Sequence, residues 1–144
     1  MNNIRILIVE DIKINQVVVI NYLKKLGYTN IKMTSDGIEC LDALCKNEYD
    51  VFICDVEIPF INGEKITEYL IDYYIANNKG SYIFASTKIP YLISMTGCVR
   101  KEDQDICMSL GFNDCISKPF VYDNIKQVMD IYIKRNSTFL NFQA

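Results

Sequence analysis

Five positions carry the chemistry this sequence offers, and each stands at the end of an apolar run. Glu10 and Asp11 follow Ile4–Val9, Asp55 follows Val51–Cys54, Thr96 follows Tyr91–Met95, and Lys118 follows Asp114–Ser117. Two carboxylates about 4 Å apart repel by roughly 4 kcal/mol at an effective dielectric near 20. They stay ionised together only when a cation shares the site. Oxygen-only ligands suit Mg²⁺, which keeps several waters and takes one or two carboxylates with phosphate oxygens. An Asp carboxylate in such a site can attack phosphorus and form an aspartyl-phosphate. The transferring group spreads charge over its equatorial oxygens, and a metal, an ammonium and a hydroxyl or amide donor stabilise it. Asp55, Lys118 and Thr96 supply that set. Taken singly, each residue has a plainer reading. An Asp after a strand usually forms a turn or caps a helix, and a Lys before Pro is most often a solvated loop residue. Their grouping at strand ends gives them weight.

Composition narrows the rest. The chain has 144 residues, half of them hydrophobic, with a formal net charge of -3 and no histidine or tryptophan. That length fits one domain and buries about 68–70% of its unfolded surface. Without histidine there is no Ser-His-Asp or Cys-His nucleophile and no His-ligated zinc or haem. The acidic balance argues against nucleic-acid binding, which needs basic surface. Six cysteines without a C-x-x-C pair, and without a basic-then-apolar leader, suggest buried free thiols in a reducing, cytoplasmic compartment. The longest unbroken apolar runs, such as Val17–Ile20, are too short to insert into a membrane.

These residues must be positioned by a regular frame. Ile4–Val9 is a nearly continuous β-branched run, as a strand buried on both faces should be. A helix follows from Lys13 to Leu26, with Ile14, Val17, Val18, Tyr22 and Leu26 at helical spacing and Gly27 as C-cap. Further strands are expected at Asn30–Thr34, Asp50–Cys54, Tyr91–Met95 and Asp114–Ser117. Further helices are expected from the Asp36/Glu39 capping box to about Lys46, from Glu64 to about Asn77, over Lys101–Leu110, and around Ile125–Tyr132. Ser81–Ile89 fits either an extra strand or an ordered loop. Strands alternating with helices imply parallel βαβ units and an open, doubly wound α/β sheet. Ligands in such sheets sit beyond the strand carboxyl ends, at a topological switch point.

With that frame, the sequence resembles the receiver domain of two-component response regulators, especially the receivers attached to hybrid histidine kinases. The matching segments are Val9-Glu10-Asp11 with Asn15-Gln16, Asp55 to Gly63, Ile93 to Gly97, and Gly111 to Phe120. The resemblance spans about residues 4–134. It implies a flavodoxin-like (βα)5 fold with strand order 2-1-3-4-5. It divides the chain into a receiver domain at 1–135 and a tail at 136–144. It also implies a phosphorelay component rather than an enzyme acting on a separate substrate. Asp55 would be the phosphoacceptor, and Glu10, Asp11, Asp55 and the carbonyl of Glu57 would hold Mg²⁺. Thr96 would be the switch hydroxyl and Lys118 the lysine that pairs with the phosphoryl group, in a cis Lys118-Pro119 peptide. The implied donor is a histidine kinase or a histidine phosphotransfer protein. A homodimer is a further possibility.

The sequence also departs from the family pattern. Cys115 stands where receivers usually carry the aromatic that turns inward on activation. Glu57, two residues after the phosphoacceptor, is either a carboxylate near the phosphoryl group or a solvated loop residue. The stretch from Gly63 to Pro90 is several residues longer than usual, and Gly97 keeps space beside the site open. Three alternatives compete with this reading. A haloacid-dehalogenase-type phosphatase would carry its Asp-x-Asp after the first strand rather than the third. A flavodoxin-like flavin binder would not place Glu10-Asp11 in its phosphate loop. A pseudo-receiver would keep the fold as a docking module without phosphorylation. No output domain follows the last helix within these residues, so the chain is expected to be a stand-alone regulator or a piece of a hybrid kinase.

Overall fold

The computed structural model describes residues 3–76, 82–97 and 101–143. Five strands alternate with five helices: β1 Arg5–Val9, α1 Lys13–Lys25, β2 Asn30–Thr34, α2 Gly37–Lys46, β3 Val51–Asp55, α3 Gly63–Ile75, β4 Tyr91–Thr96, α4 Lys101–Ser109, β5 Asp114–Ser117 and α5 Tyr122–Gln143. All strand pairs are parallel, and the sheet order is β2-β1-β3-β4-β5, as expected. The order reverses beside β1, so the crevice above β1 and β3 is the switch point where α/β sheets bind ligands.

The strands are apolar throughout because both faces are covered. Leu7, Val9, Phe52, Cys54 and Leu92 enter one core with α2, α3 and Cys107 of α4. Ile6, Ile8, Ile53, Ile93, Met95 and Ile116 enter the other with α1 and α5. Strand periodicity of two distributes successive residues between these layers. Local signals set the helix ends. Asp36 caps α2 by accepting the Glu39 N–H at 2.8 Å, and Asn62 caps α3 by accepting that of Lys65 at 2.9 Å. After α4 the chain reverses through Gly111 at φ +107°, a conformation that suits glycine.

Two readings need revision, and a third, open between strand and loop, resolves to the loop. In α1 the buried face is Gln16, Val19 and Leu23, while Ile14 and Val17 are 67% and 42% exposed. The Val17–Ile20 run is apolar nearly all round, so spacing alone did not single out the inner face. Residues 82–90 form an ordered loop without a strand. Their polar groups bond sideways instead: the Ala85 N–H donates to Leu44 O (3.1 Å), and the Tyr74 hydroxyl donates to Ser86 O (2.7 Å). Phe84 is buried there, edge-on to Tyr73 at 5.3 Å. Finally, the backbone from Asn136, expected as a tail, is helical and continuous with α5 to Gln143. No glycine or proline interrupts it.

At the opposite end of the sheet from the strand carboxyl termini, Asp50 ties β1 to β3. It accepts from the Arg5 backbone N–H (2.8 Å), Nε (3.0 Å) and an Nη (2.9 Å). Burial pushes the Asp50 carboxyl up, but these bonds outweigh it and hold the group below its ordinary value. A depressed carboxylate stabilises the fold above its unfolded value, near pH 3.8, and loses that contribution as pH falls through the folded value. Asp50→Asn should therefore cost about 1–2 kcal/mol at pH 7, the pair being partly solvated, and the deficit should shrink below about pH 4. Urea unfolding at both pH values measures this. An equal deficit at the two would show that the charge is not its source.

Candidate functional site

The sheet brings Glu10, Asp11 and Asp55 together just beyond the ends of β1 and β3. One oxygen from each lies within 4.8 Å of the others. Their solvation differs sharply: Glu10 is fully buried and Asp55 is 4% exposed, whereas Asp11 faces solvent. Lys118, just past β5, places Nζ 2.8 Å from Asp55 Oδ2 and 3.1 Å from Glu10 Oε1. The ammonium is aligned on Asp55, so Glu10 Oε1 receives no well-formed hydrogen bond despite its proximity. Burial pushes the Glu10 carboxyl up and Asp55 adds to this, while the Ile12 N–H and Lys118 pull it back only in part. Burial pulls Lys118 down, but the hydrogen bond to Asp55 and the nearby Glu10 carboxylate outweigh it and keep the amine protonated. The site thus holds three carboxylates against one ammonium. Its oxygen-only donor set and the orphaned Glu10 oxygen fit a hard divalent cation.

Thr96 ends β4 and is buried, and its carbonyl accepts the Lys118 N–H at 2.7 Å. That bond fixes the start of the β5–α5 loop, whose Lys118-Pro119 peptide is cis. Glu57 stands exposed on the rim, and its N–H donates to Asp55 Oδ1 at 3.1 Å. Its side chain is not part of the carboxylate cluster found among the described residues. Gly63 admits α3 hard against the site, since a Cβ there would meet the Asp55 carbonyl oxygen at 2.7 Å. In the loop after β3, Pro59 O accepts the N–H groups of Gly37 (3.1 Å) and Ile61 (3.0 Å). The intervening Phe60 takes φ +70° and is 78% exposed, an uncommon conformation for an aromatic residue.

Gln16 enters the sequence reading only as part of a motif. It is buried, and its amide donates to Glu10 O (2.6 Å) and Ser35 Oγ (3.1 Å). It braces the Glu10-Asp11 turn against the β2–α2 loop. A polar residue seven positions after β1, among apolar neighbours, was the available signal.

The family model for the response regulator receiver domain matches residues 6–130. The chain belongs to the response regulator receiver family. The resemblance drawn from the sequence is therefore borne out, and so is the fold it implied. Among curated relatives, this receiver is 29% identical over 134 residues to the sensor histidine kinase RcsC of Escherichia coli K12. The match covers 93% of the chain but only 13% of that kinase's length. Probable histidine kinase 1 of rice is also 29% identical, again over a small part, 16%, of its length. Among solved structures, the receiver domain of the sensor histidine kinase PA1611 from Pseudomonas aeruginosa superposes with TM-score 0.70 at 26% identity. That match covers 90% of this chain and 97% of that one, and the relative has magnesium coordinated in its active-site cleft. The receiver domain of Ssk1 from Saccharomyces cerevisiae, solved with the histidine phosphotransfer protein Ypd1, superposes with TM-score 0.73 at 24% identity, covering 87% of this chain and 85% of that one. No helix among the described residues of this receiver is long and apolar enough to cross a membrane.

Proposed function

We propose that this receiver takes a phosphoryl group from a phosphohistidine onto Asp55, with Mg²⁺ at Glu10, Asp11 and Asp55 and the carbonyl of Glu57. The observation that carries this reading is the Lys118 ammonium bridging two buried carboxylates inside the three-carboxylate cluster. When bound, Mg²⁺ supplies the positive charge that lets carboxylates and a phosphoryl group share one site. An Asp55 oxygen forms the new O–P bond while the P–N bond of the donor breaks, and the departing imidazole nitrogen takes up a proton. Lys118 is already on Asp55 and moves onto the phosphoryl oxygens, and the Thr96 hydroxyl completes their stabilisation. The product alters the surface that partners meet, so the chain signals by docking rather than by turning over a substrate.

The donor is a histidine kinase or a histidine phosphotransfer protein, and its landing surface surrounds the site. Ile12, Ile14 and Val17 at the start of α1, with Phe60 in the β3–α3 loop, are large apolar side chains between 42% and 78% exposed. Exposed apolar groups clustered around a reactive crevice suit a protein partner. In Mg²⁺, the chain should gain one phosphoryl group by intact mass from acetyl phosphate and also from a phosphorylated phosphotransfer protein. Ile14→Lys should slow the second reaction about tenfold, through loss of roughly 1.4 kcal/mol of docking energy, and leave the first unchanged. No uptake from either donor would support a docking module without phosphorylation. Equal slowing with both donors would count against the landing surface.

A further inference from the structure

The carboxylates of the site come from two separate loops, and the turn between β2 and α2 is bonded to both. That turn starts beside β1, because the Glu10 N–H donates to Thr34 O at the end of β2 (3.0 Å). On the β1 side, the Gln16 amide nitrogen joins Glu10 O (2.6 Å) to Ser35 Oγ (3.1 Å). On the β3 side, the Gly37 N–H donates to Pro59 O at 3.1 Å. Pro59 lies in the loop whose Glu57 N–H reaches back to Asp55 Oδ1 at 3.1 Å. The turn is itself closed: the Ser35 N–H donates to the Glu39 carboxylate (3.2 Å), and the Glu39 N–H donates to Asp36 (2.8 Å). Behind it, α2 is anchored by Cys40, Leu41 and Leu44 in the core. Gly37 is buried, and a Cβ there would collide with the Ile61 carbonyl oxygen and stand 2.8 Å from the carbonyl carbon. Both are backbone atoms, so no change of rotamer relieves the contact.

We propose that the β2–α2 turn is a bracket that sets the spacing of the two carboxylate loops, with Ser35 and Gly37 as positioning residues for the divalent cation. This rests on the Mg²⁺ site proposed above and concerns what holds its ligands in place. Mg²⁺ demands near-octahedral geometry with ligand distances of about 2.0–2.1 Å, so small shifts of a ligand loop weaken binding. Glu10 and Asp11 sit on one loop and Asp55 and Glu57 on the other, and β1 pairs directly with β3 only up to Val9 and Cys54. Past those residues the bracket joins the loops through hydrogen bonds on both sides. Neither Ser35 nor Gly37 needs to touch the cation. Ser35 holds the Glu10-Asp11 turn through Gln16, and Gly37 lets the Pro59 carbonyl approach α2 closely enough to bond.

The test is a Mg²⁺ titration of the chain without any phosphodonor, read from the amide resonances of Asp11, Asp55 and Glu57. Gly37→Ala pushes the 59–61 backbone away and should raise the Kd about tenfold, the scale of losing a group that orients metal ligands. Ser35→Ala should raise it about threefold, part of the weight of one neutral hydrogen bond. In uptake from acetyl phosphate, the Mg²⁺ concentration giving half the maximal rate should rise by the same factors. The rate at saturating Mg²⁺ should stay near native, because the bound cation then draws the loops together. Asp42→Ala, which breaks an exposed ion pair with Lys46 further along α2, should leave the Kd unchanged. Ser35 is exposed, so its variant keeps the core and decides the matter even where Gly37→Ala does not fold. A native Kd in the folded variants would overturn the bracket, and so would a lower saturated rate at unchanged Kd. A native chain that binds no Mg²⁺ would instead remove the metal site, and the bracket with it, before any substitution is made.

Discussion

Asp55→Asn should abolish phosphoryl uptake while leaving the fold intact. Asn has almost the shape of Asp, so the core around the end of β3 is undisturbed. Its amide, however, is not a nucleophile toward phosphorus and cannot form the acyl phosphate. The change also removes one of the two carboxylates on Lys118, but Glu10 remains 3.1 Å from the ammonium and keeps it paired. A folded variant that gains no mass from acetyl phosphate and Mg²⁺ is therefore the expected result. Beryllium fluoride should shift the amide resonances of the native chain around Thr96 and Lys118, and those of the variant should stay still. Undiminished uptake would move the acceptor to another carboxylate, with Asp11 and Glu57 the nearest choices along the rim, and would sink the assignment to Asp55.

The frame of this site was legible because strand and helix signals agree with the tertiary fold. Strands covered on both faces must be apolar, so Ile4–Val9 and Asp50–Cys54 are legible as strands, and a chain leaving such a strand must deliver its next residue to the crevice. Glu10, Asp55, Thr96 and Lys118 are legible on that ground. What spacing could not convey is how the carboxylates divide their solvent. Glu10 and Asp11 are adjacent in sequence, yet one is fully buried and the other exposed. Gln16 closes that turn by donating to Glu10 O and Ser35 Oγ, long-range contacts that spacing does not reveal. The loop at 82–90 is ambiguous for a related reason: its polar groups pair with Leu44, Tyr49 and Tyr74, which are distant in sequence. In α1, an almost uniformly apolar stretch hid the outward face. The structure turns Ile14 and Val17 to solvent.

Lys118→Met should separate the two roles of the ammonium, in stability and in chemistry. Without it, the fully buried Glu10 and nearly buried Asp55 face each other with no cation between them. Removing one partner from a buried ionic group costs about 3–5 kcal/mol, because the remaining charge has lost both water and its counter-ion. Mg²⁺ at the same carboxylates would restore part of that loss, since a ligand at 100 times its Kd stabilises by about 2.7 kcal/mol. It should also bind the variant more tightly, having no ammonium to compete with. The variant should thus melt well below the native chain in EDTA, and Mg²⁺ should raise its Tm by more than it raises the native Tm. Phosphoryl uptake should stay at least about a hundredfold slower even in saturating Mg²⁺, because a metal on the carboxylates does not replace the donor aimed at the transferring oxygens. Thermal melts with and without Mg²⁺, set beside the rate of uptake from acetyl phosphate, read the two effects independently. Equal Mg²⁺-induced shifts in the two proteins would mean that Lys118 does not hold the charge of this cluster. Full recovery of rate on adding metal would mean that it has no part in the transfer.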